Sequence, residues 1–388
     1  MKKKLLGILL ATAVCAGSLA GCGEKQPETP ASTAEEETPA AAEATGSEAD
    51  AETETPADTA SGEKLTVGVS IRSMSSEYHM QYVAGAQAFV DSLPEGTAEV
   101  QVLPCESNDD KQINDIKALV ASKGDNLILF VDPNNAPNIT SIAEICEEAG
   151  VYWVSAWNTP EGINPMSYKY WVAHQACDGV QQGYDLAKTM FEKFENPGQG
   201  KILVMEGMLA NTSNVERMEG LRKALEEYPD IEVLDDQAGD WDTKKALGIT
   251  ETWLAKYDDI DGIWCASDDM ALGIVQALKS KGLDKKVMVT GNDGTTDAVN
   301  AVESGEITVT IANNGWLQGG YGVAYAYAAK TGKINPESMK PEERMFYTNG
   351  ILITSDTVAD YKKDFMESTP VYDYEDLSFP VARPMDIQ

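Results

Sequence analysis

The chain has 388 residues, 43% hydrophobic and 24% charged. That is ample apolar material for two or three ordinary domains, and it excludes disorder throughout. Sixty-three acidic residues against 30 basic ones give a formal net charge of −33, which argues against a nucleic-acid partner, because a phosphate backbone is held by clustered Lys and Arg. After residue 25 no apolar run reaches the roughly 18 residues of a membrane span, so a polytopic membrane protein is excluded as well.

Residues 1–22 read as an address. Met1-Lys2-Lys3-Lys4 is basic, Leu5 to Ala16 is apolar but short for a span, and Leu19-Ala20-Gly21-Cys22 closes the segment. The arrangement resembles a bacterial lipoprotein signal ending at a lipobox. The resemblance implies that Cys22 becomes the first residue of the mature chain, joined by a thioether to diacylglycerol. Two acyl chains give stable anchoring where one does not. Residues 23–62 are almost wholly Glu, Asp, Ala, Thr, Pro, Ser and Gly, without an aromatic. Eleven acids and one Lys give this stretch −10 of the −33. The composition predicts a disordered acidic tether, reaching roughly 35 Å as a flexible coil. It suits a domain held off the outer face of a cytoplasmic membrane, beneath a Gram-positive-type wall.

The folded part begins near Lys64 and alternates. Leu65–Ile71 is a run rich in β-branched residues and predicts a buried strand. Glu77–Leu93 is helical, Val100–Leu103 a strand, and Asp110–Ser122 a helix with Ile113, Ile116, Leu119 and Val120 on one face. Leu127–Val131 is a strand stopped by Asp132-Pro133. Ile139–Ala149 is a helix ended by Gly150, and Val151–Trp157 a strand. The plan then repeats: helices over 178–194, 215–228, 243–256 and 270–281 alternate with strands over 201–205, 231–234, 262–266 and 287–290. A third portion has strands at 307–312 and 346–354 around a helix at 319–329, and the tail from Ser355 is expected to be irregular. Such alternation predicts two similar α/β units with doubly wound parallel sheets.

Ligands on open parallel sheets sit off the carboxyl ends of the strands. The residues just after each predicted strand are rich in Asn, Asp, Arg and Trp and poor in nucleophile–base pairs. There is no Gly-x-Gly-x-x-Gly, no phosphate loop and no Gly-x-Ser-x-Gly elbow, so no cofactor is implied. The chain has two His, His79 and His174, and no Cys/His group at metal-ligand spacing. Cys105, Cys146, Cys177 and Cys265 read as scattered buried thiols, with one bridge left open. Paired-acid glycoside chemistry is compatible with so many carboxylates, but nothing singles out a pair.

Ala266-Ser267-Asp268-Asp269-Met270-Ala271-Leu272-Gly273 and Val289-Thr290-Gly291-Asn292-Asp293-Gly294-Thr295 resemble segments of the type 1 periplasmic binding proteins, near the ribose-binding branch. Arg217-Met218-Glu219-Gly220 resembles that family's Arg-x-x-Gly, and Gly239-Asp240-Trp241-Asp242 its aromatic turn. The likeness covers about residues 64–355. It implies two lobes joined by three crossovers, near His174-Gln175-Ala176, near Asn313-Asn314 and near Lys340. On that plan 64–174 plus 314–340 form the first lobe, 175–313 plus 341–355 the second, and 356–388 an irregular extension. The resemblance also implies ligand-binding roles. Asp293 accepts from ligand hydroxyls, Arg217 donates a fork, Trp241 stacks on a C–H face, and Asn313 is the hinge amide. Ser267 stands where ribose binders carry Asn, with Asp268 beside it to compensate or to cap a helix.

The first lobe departs further from the pattern. Trp157-Asn158 replaces an Asp-Arg clamp. In the first loop Ser76, Tyr78 and His79, with Arg72 ahead of them, replace Asn and two Phe. The pocket is expected to take a polar ring other than ribose. The reading implied is a monomeric, lipid-anchored binding protein that captures a monosaccharide or short oligosaccharide and hands it to an ABC permease, touching the membrane through its N-terminal lipid only. The alternatives are a small signal molecule, nucleoside or polyol as ligand, or a sensor kinase as partner. An enzyme on a similar sheet lacks its nucleophile–base pair, and a repressor of this fold lacks its DNA-binding N-terminus.

Overall fold

The computed structural model describes residues 63–368 and 370–385. The address and tether lie outside the described residues, so those readings are not addressed by the fold. The first lobe is built from β1 (Leu65–Ile71), α1 (Glu77–Ser92), β2 (Ala98–Pro104), α2 (Asp109–Lys123), β3 (Leu127–Val131), α3 (Asn138–Ala149), β4 (Trp153–Ala156) and β5 (Trp171–Cys177). The second follows with α4 (Gly179–Glu192), β6 (Gln199–Glu206), α5 (Thr212–Glu227), β7 (Asp230–Ala238), α6 (Thr243–Lys256), β8 (Gly262–Cys265), α7 (Asp268–Lys281), β9 (Met288–Val289), α8 (Thr296–Ser304) and β10 (Val309–Ala312). The chain returns as α9 (Gly315–Lys330), α10 (Pro341–Arg344) and β11 (Met345–Thr348). It crosses again into β12 (Ile351–Thr354) and α11 (Val358–Phe365), and ends in β13 (Arg383–Pro384).

The two sheets share one plan. The first runs β2-β1-β3-β4-β5-β11-β13, and the second runs β7-β6-β8-β9. Bridges Thr290–Val309 and Asp293–Ala312 carry the second sheet on to β10, which pairs antiparallel with β12. Apart from β12 and β13 the pairings are parallel. All seven residues of β5 and all five of β3 are buried, as expected where helices cover both faces of a sheet. Trp153, Trp171, Trp253 and Trp264 are fully buried core, and the four described cysteines are buried free thiols.

The third crossing differs from the expected Lys340. Arg344 is buried and donates to the carbonyls of Val172, Pro165, Tyr168 and Trp171. That grip holds α10 on the first lobe, and β11 then pairs with β5 from Met345↔His174 to Thr348↔Cys177. The chain therefore leaves the first lobe after Thr348, and the expected single strand over 346–354 is two strands, one in each lobe. The first crossing falls after Cys177 for the same reason. The tail is also more ordered than expected: α11 ties to α8 through Lys362 and Glu303 at 2.6 Å. Beyond it the chain returns to the first lobe, where Tyr321 and Tyr325 donate to the carbonyls of Asp373 and Leu377.

Candidate ligand-binding site

The carboxyl ends of the two sheets face each other and enclose a cavity lined from both lobes. Measured to the centres of water-sized spheres it is about 40 Å³. It is small and partly open to solvent. From the first lobe Arg72, Ser76, Tyr78, His79, Trp157 and Asn158 line it. From the second come Arg217, Trp241, Ser267 and Asp293. These are ten of the twelve expected ligand-binding positions.

Asp268 and Asn313 stand behind the wall. Asp268 is fully buried and accepts from Thr295 N at 2.8 Å and Thr310 Oγ1 at 2.6 Å. It ties the start of α7 to β10 instead of reaching the cavity. Asn313 donates to Asn292 Oδ1 at 2.7 Å and Asp293 Oδ1 at 3.1 Å, and accepts from Gln182. It orients Asp293 and does not line the space itself. Asp132, Asn211, Ser213 and Asp269 line the cavity and were not singled out from the sequence. All four fall in the post-strand segments, which was the available signal.

In the second lobe Arg217 is the centre. Its residue is 3% exposed. Nη1 donates to Ala266 O at 2.7 Å, and Nη2 lies 3.7 Å from Asp293 Oδ1. The guanidinium sits 4.9 Å from the Trp157 ring and 5.8 Å from the Trp241 ring, between an aromatic face from each lobe. Glycines create this placement. A Cβ at Gly183 would come 2.0 Å from Arg217 O, and one at Gly207 would come 2.0 Å from the Trp241 ring. Burial pushes the Asp293 carboxyl well above the usual carboxylate range, against the pull of Arg217. Trp157, Trp241 and Asp293 have φ of 60°, 59° and 136°. Side chains other than Gly are uncommon there, and such conformations gather at functional sites.

In the first lobe several expected polar tips are already used. The Tyr78 hydroxyl accepts from Trp157 Nε1 at 2.8 Å and Tyr82 at 3.0 Å, and donates to Gln318. Its ring is a wall, and its hydroxyl is spent inside the protein. Asn158 donates to Pro133 O and accepts from Thr212 N across the cleft at 3.0 Å, so its amide is a strap between lobes. Burial lowers the His79 pKa, leaving a neutral ring whose Nε2 meets Asp132 Oδ2 at 3.2 Å. Ser267 caps α7.

The lobes also touch directly. Thr296 donates from its backbone N to both Glu77 carboxylate oxygens at 3.0 Å and from Oγ1 at 2.7 Å. Thr212 Oγ1 bonds Thr159 O at 2.8 Å, and Asn211 donates to Asn134 O at 2.8 Å. These contacts describe lobes closed on each other. Among the described residues no group of His, Cys, Asp or Glu is arranged to hold a metal ion, and no helix is long and apolar enough to cross a membrane.

A periplasmic binding protein domain model matches residues 67–334. A D-allose-binding periplasmic protein of Escherichia coli (strain K12) is 34% identical over 183 residues, 47% of this chain and 58% of that protein. A ribose import binding protein of Haemophilus influenzae is 27% identical over 261 residues, 67% of this chain and 84% of the relative. A solved twin-arginine translocation pathway signal protein from Burkholderia phytofirmans superposes with a TM-score of 0.80 at 33% identity, over 84% of this chain and 99% of that one. The chain belongs to the periplasmic binding protein domain family and has its type 1, two-lobed fold.

Proposed function

We propose that this protein is an extracytoplasmic solute-binding protein that holds one carbohydrate ring between its lobes and delivers it to an ABC importer. The observation that carries the reading is the cavity itself. Two Trp faces, a buried Arg and a largely buried Asp converge from both lobes on one small cavity. Aromatic faces suit the C–H side of a sugar, and the fork and carboxylate suit its hydroxyls. The mechanism is binding and closure without a covalent step. A ligand that touches both lobes stabilises the closed form by its differential affinity for that form. The sugar-binding and sugar-importing names of the allose and ribose relatives support the ligand class and the partner. The small cavity favours a monosaccharide or cyclic polyol over an oligosaccharide. We further propose that the protein acts as a monomer and is tethered through a lipid on Cys22.

A thermal-shift screen of residues 63–388 against sugars, polyols, nucleosides and amino acids tests the ligand class. Ligand at 100 times its Kd adds about 2.7 kcal/mol. Stabilisation by a carbohydrate or cyclitol is expected; stabilisation by nucleosides alone would replace the ligand class. For the anchor, Cys22→Ser is expected to release the full chain from membranes, and its retention in the membrane fraction would refute the lipid.

A further inference from the structure

The third crossing between the lobes is short. β11 ends at Thr348 on the first lobe, β12 begins at Ile351 on the second, and Asn349-Gly350 is all that lies between them. Both residues are exposed. Among the described residues the Asn349 side chain makes no hydrogen bond and the Gly350 N–H has no acceptor. The chain has one other Asn-Gly, Asn314-Gly315 at the second crossing. There Asn314 Oδ1 accepts from Leu317 N at 3.0 Å and Nδ2 donates to the Tyr372 hydroxyl at 2.8 Å, so both ends of the amide are held at the start of α9. Gly315 is pinned as well, since a Cβ there would come 2.9 Å from Tyr78 O. The same dipeptide thus stands at two crossings, locked at one and loose at the other.

An Asn followed by Gly carries its own nucleophile. The Gly nitrogen lies one ring closure away from the side-chain carbonyl, and with no Cβ on the Gly nothing crowds the approach. Once Gly350 N gives its proton to water or hydroxide, it bonds to Asn349 Cγ. The Cγ–Nδ2 bond breaks, and the nitrogen leaves as ammonia with a proton from water. Water then opens the succinimide at one of its two carbonyls, so the sum is one water consumed and one ammonia released. Opening at Cγ leaves Asp. Opening at the backbone carbonyl leaves an isoaspartyl residue, whose main chain runs on through Cβ and Cγ. An amide fixed by hydrogen bonds at both ends does not reach this geometry, which spares Asn314.

We propose that Asn349-Gly350 is a self-modification site whose isoaspartyl product lengthens the third crossing and weakens the hold on ligand. The modification stands on the crossing alone, and its effect on affinity rests on the binding role above. The extra methylene adds about 1.5 Å to the connection. β12 is fixed on β10 from Ala312↔Ile351 to Val309↔Thr354, and β11 is fixed on β5, so the crossing itself takes up the length. It has little room, because a Cβ at Gly350 would come 2.9 Å from Gln182 Nε2 and from Ile311 Cγ2. Gln182 Nε2 donates to Asn313 Oδ1 at 2.7 Å, and Asn313 donates to Asp293 Oδ1 at 3.1 Å. The crossing therefore abuts the amides that orient the cavity's carboxylate. Hinges of a few residues absorb lobe closure, and a longer one sets the lobes off their closed register.

The test ages the unliganded protein in warm, mildly alkaline buffer and follows wild type and Asn349→Ser by peptide mapping and by enzymatic methylation of isoaspartyl carboxylates. Isoaspartate is expected to accumulate at position 349 of wild type several-fold faster than at 314, and Asn349→Ser is expected to stay unmodified at 349. Equal rates at the two sites, or no conversion of Asn349, overturn the assignment. Asn349→Asp brings the new charge without the added methylene. Freshly purified, it is expected to bind the carbohydrate or cyclitol of the screen within about threefold of wild type, as an exposed substitution does. Converted wild type is expected to bind about tenfold more weakly, the size of one lost hydrogen bond to a charged group. Unchanged affinity after conversion, or a fresh Asn349→Asp as weak as the converted protein, overturns the effect of the longer main chain. The unliganded Tm is expected to fall on ageing in wild type and to hold in Asn349→Ser. If no carbohydrate or cyclitol binds fresh wild type, the ligand class fails by itself, and the altered crossing stands or falls on the methylation and the Tm.

Discussion

Glu77 offers a way to separate closure from ligand contact, because it bonds the opposite lobe without lining the cavity. Its carboxylate accepts the Thr296 N–H and hydroxyl at the first turn of α8. Hydrogen bonds to a charged group contribute about 1.5–3 kcal/mol, and the helix terminus adds roughly 0.3–1 kcal/mol for an anion there. Water replaces these partners when the lobes open, and partly exposed charges are worth less than buried ones. A differential of about 1.4 kcal/mol in favour of the closed form is therefore expected, equal to tenfold in affinity. Glu77→Ala should raise Kd about tenfold. Because the contact forms only on closure, the change should appear in the dissociation rate, with association within about twofold. Stopped-flow tryptophan fluorescence reads both rates, since Trp157 and Trp241 line the site. Combining Glu77→Ala with Thr296→Val should add little, because the two share one contact. An unchanged dissociation rate, or a loss confined to association, would refute the latch.

Two further expectations concern stability. Gly183→Ala places a methyl 2.0 Å from the carbonyl of Arg217, where α4 and α5 meet backbone to backbone. Overpacking of this kind costs about 1–3 kcal/mol, so the unliganded Tm should fall by several degrees, and an unchanged Tm would show that the helices separate freely. Glu216, half-buried beside Asp178, has its carboxyl pushed up by desolvation to about 7 from an ordinary value of 4.5. The folded chain keeps a proton that the unfolded chain releases, so this group's contribution is greatest below pH 4.5 and is lost as pH rises to about 7. Glu216→Gln should flatten the fall in Tm between pH 5 and about 8, and a parallel fall in both proteins would contradict the assignment.

Much of this architecture is legible in composition and periodicity, because parallel strands covered on both faces read as continuous hydrophobic runs, as in Leu127–Val131, or as runs rich in β-branched residues, as in Leu65–Ile71. Trp171–Cys177 escapes that pattern although every residue is buried. His174 bonds Ser155 Oγ at 2.8 Å and Gln175 donates to Gln318 O at 2.7 Å. Polar side chains held inside the core look solvent-facing to a periodicity count. The helix Thr296–Ser304 is short, and only four of its residues are buried. The third crossing depends on Arg344, whose four carbonyl partners are remote in sequence.

The site was legible as a set of loops more than as a set of contacts. Segments after the strands contain Asp132, Asn211, Ser213 and Asp269, yet position alone does not say which side chains turn inward. Residue type likewise gives no warning that the Tyr78 hydroxyl is consumed and the Asn158 amide engaged by protein partners. Asp268 looks like a ligand carboxylate beside Ser267, but Thr295 and Thr310 hold it in the core. These are facts of tertiary pairing.

The most direct measurement is isothermal titration of wild type and Asp293→Ala with the carbohydrate or cyclitol that stabilises the protein. One ligand per chain is expected for wild type, with no detectable binding by the variant and an unliganded Tm within a few degrees of wild type. Equal affinity in both proteins would contradict a ligand held between the lobes at Arg217 and Asp293.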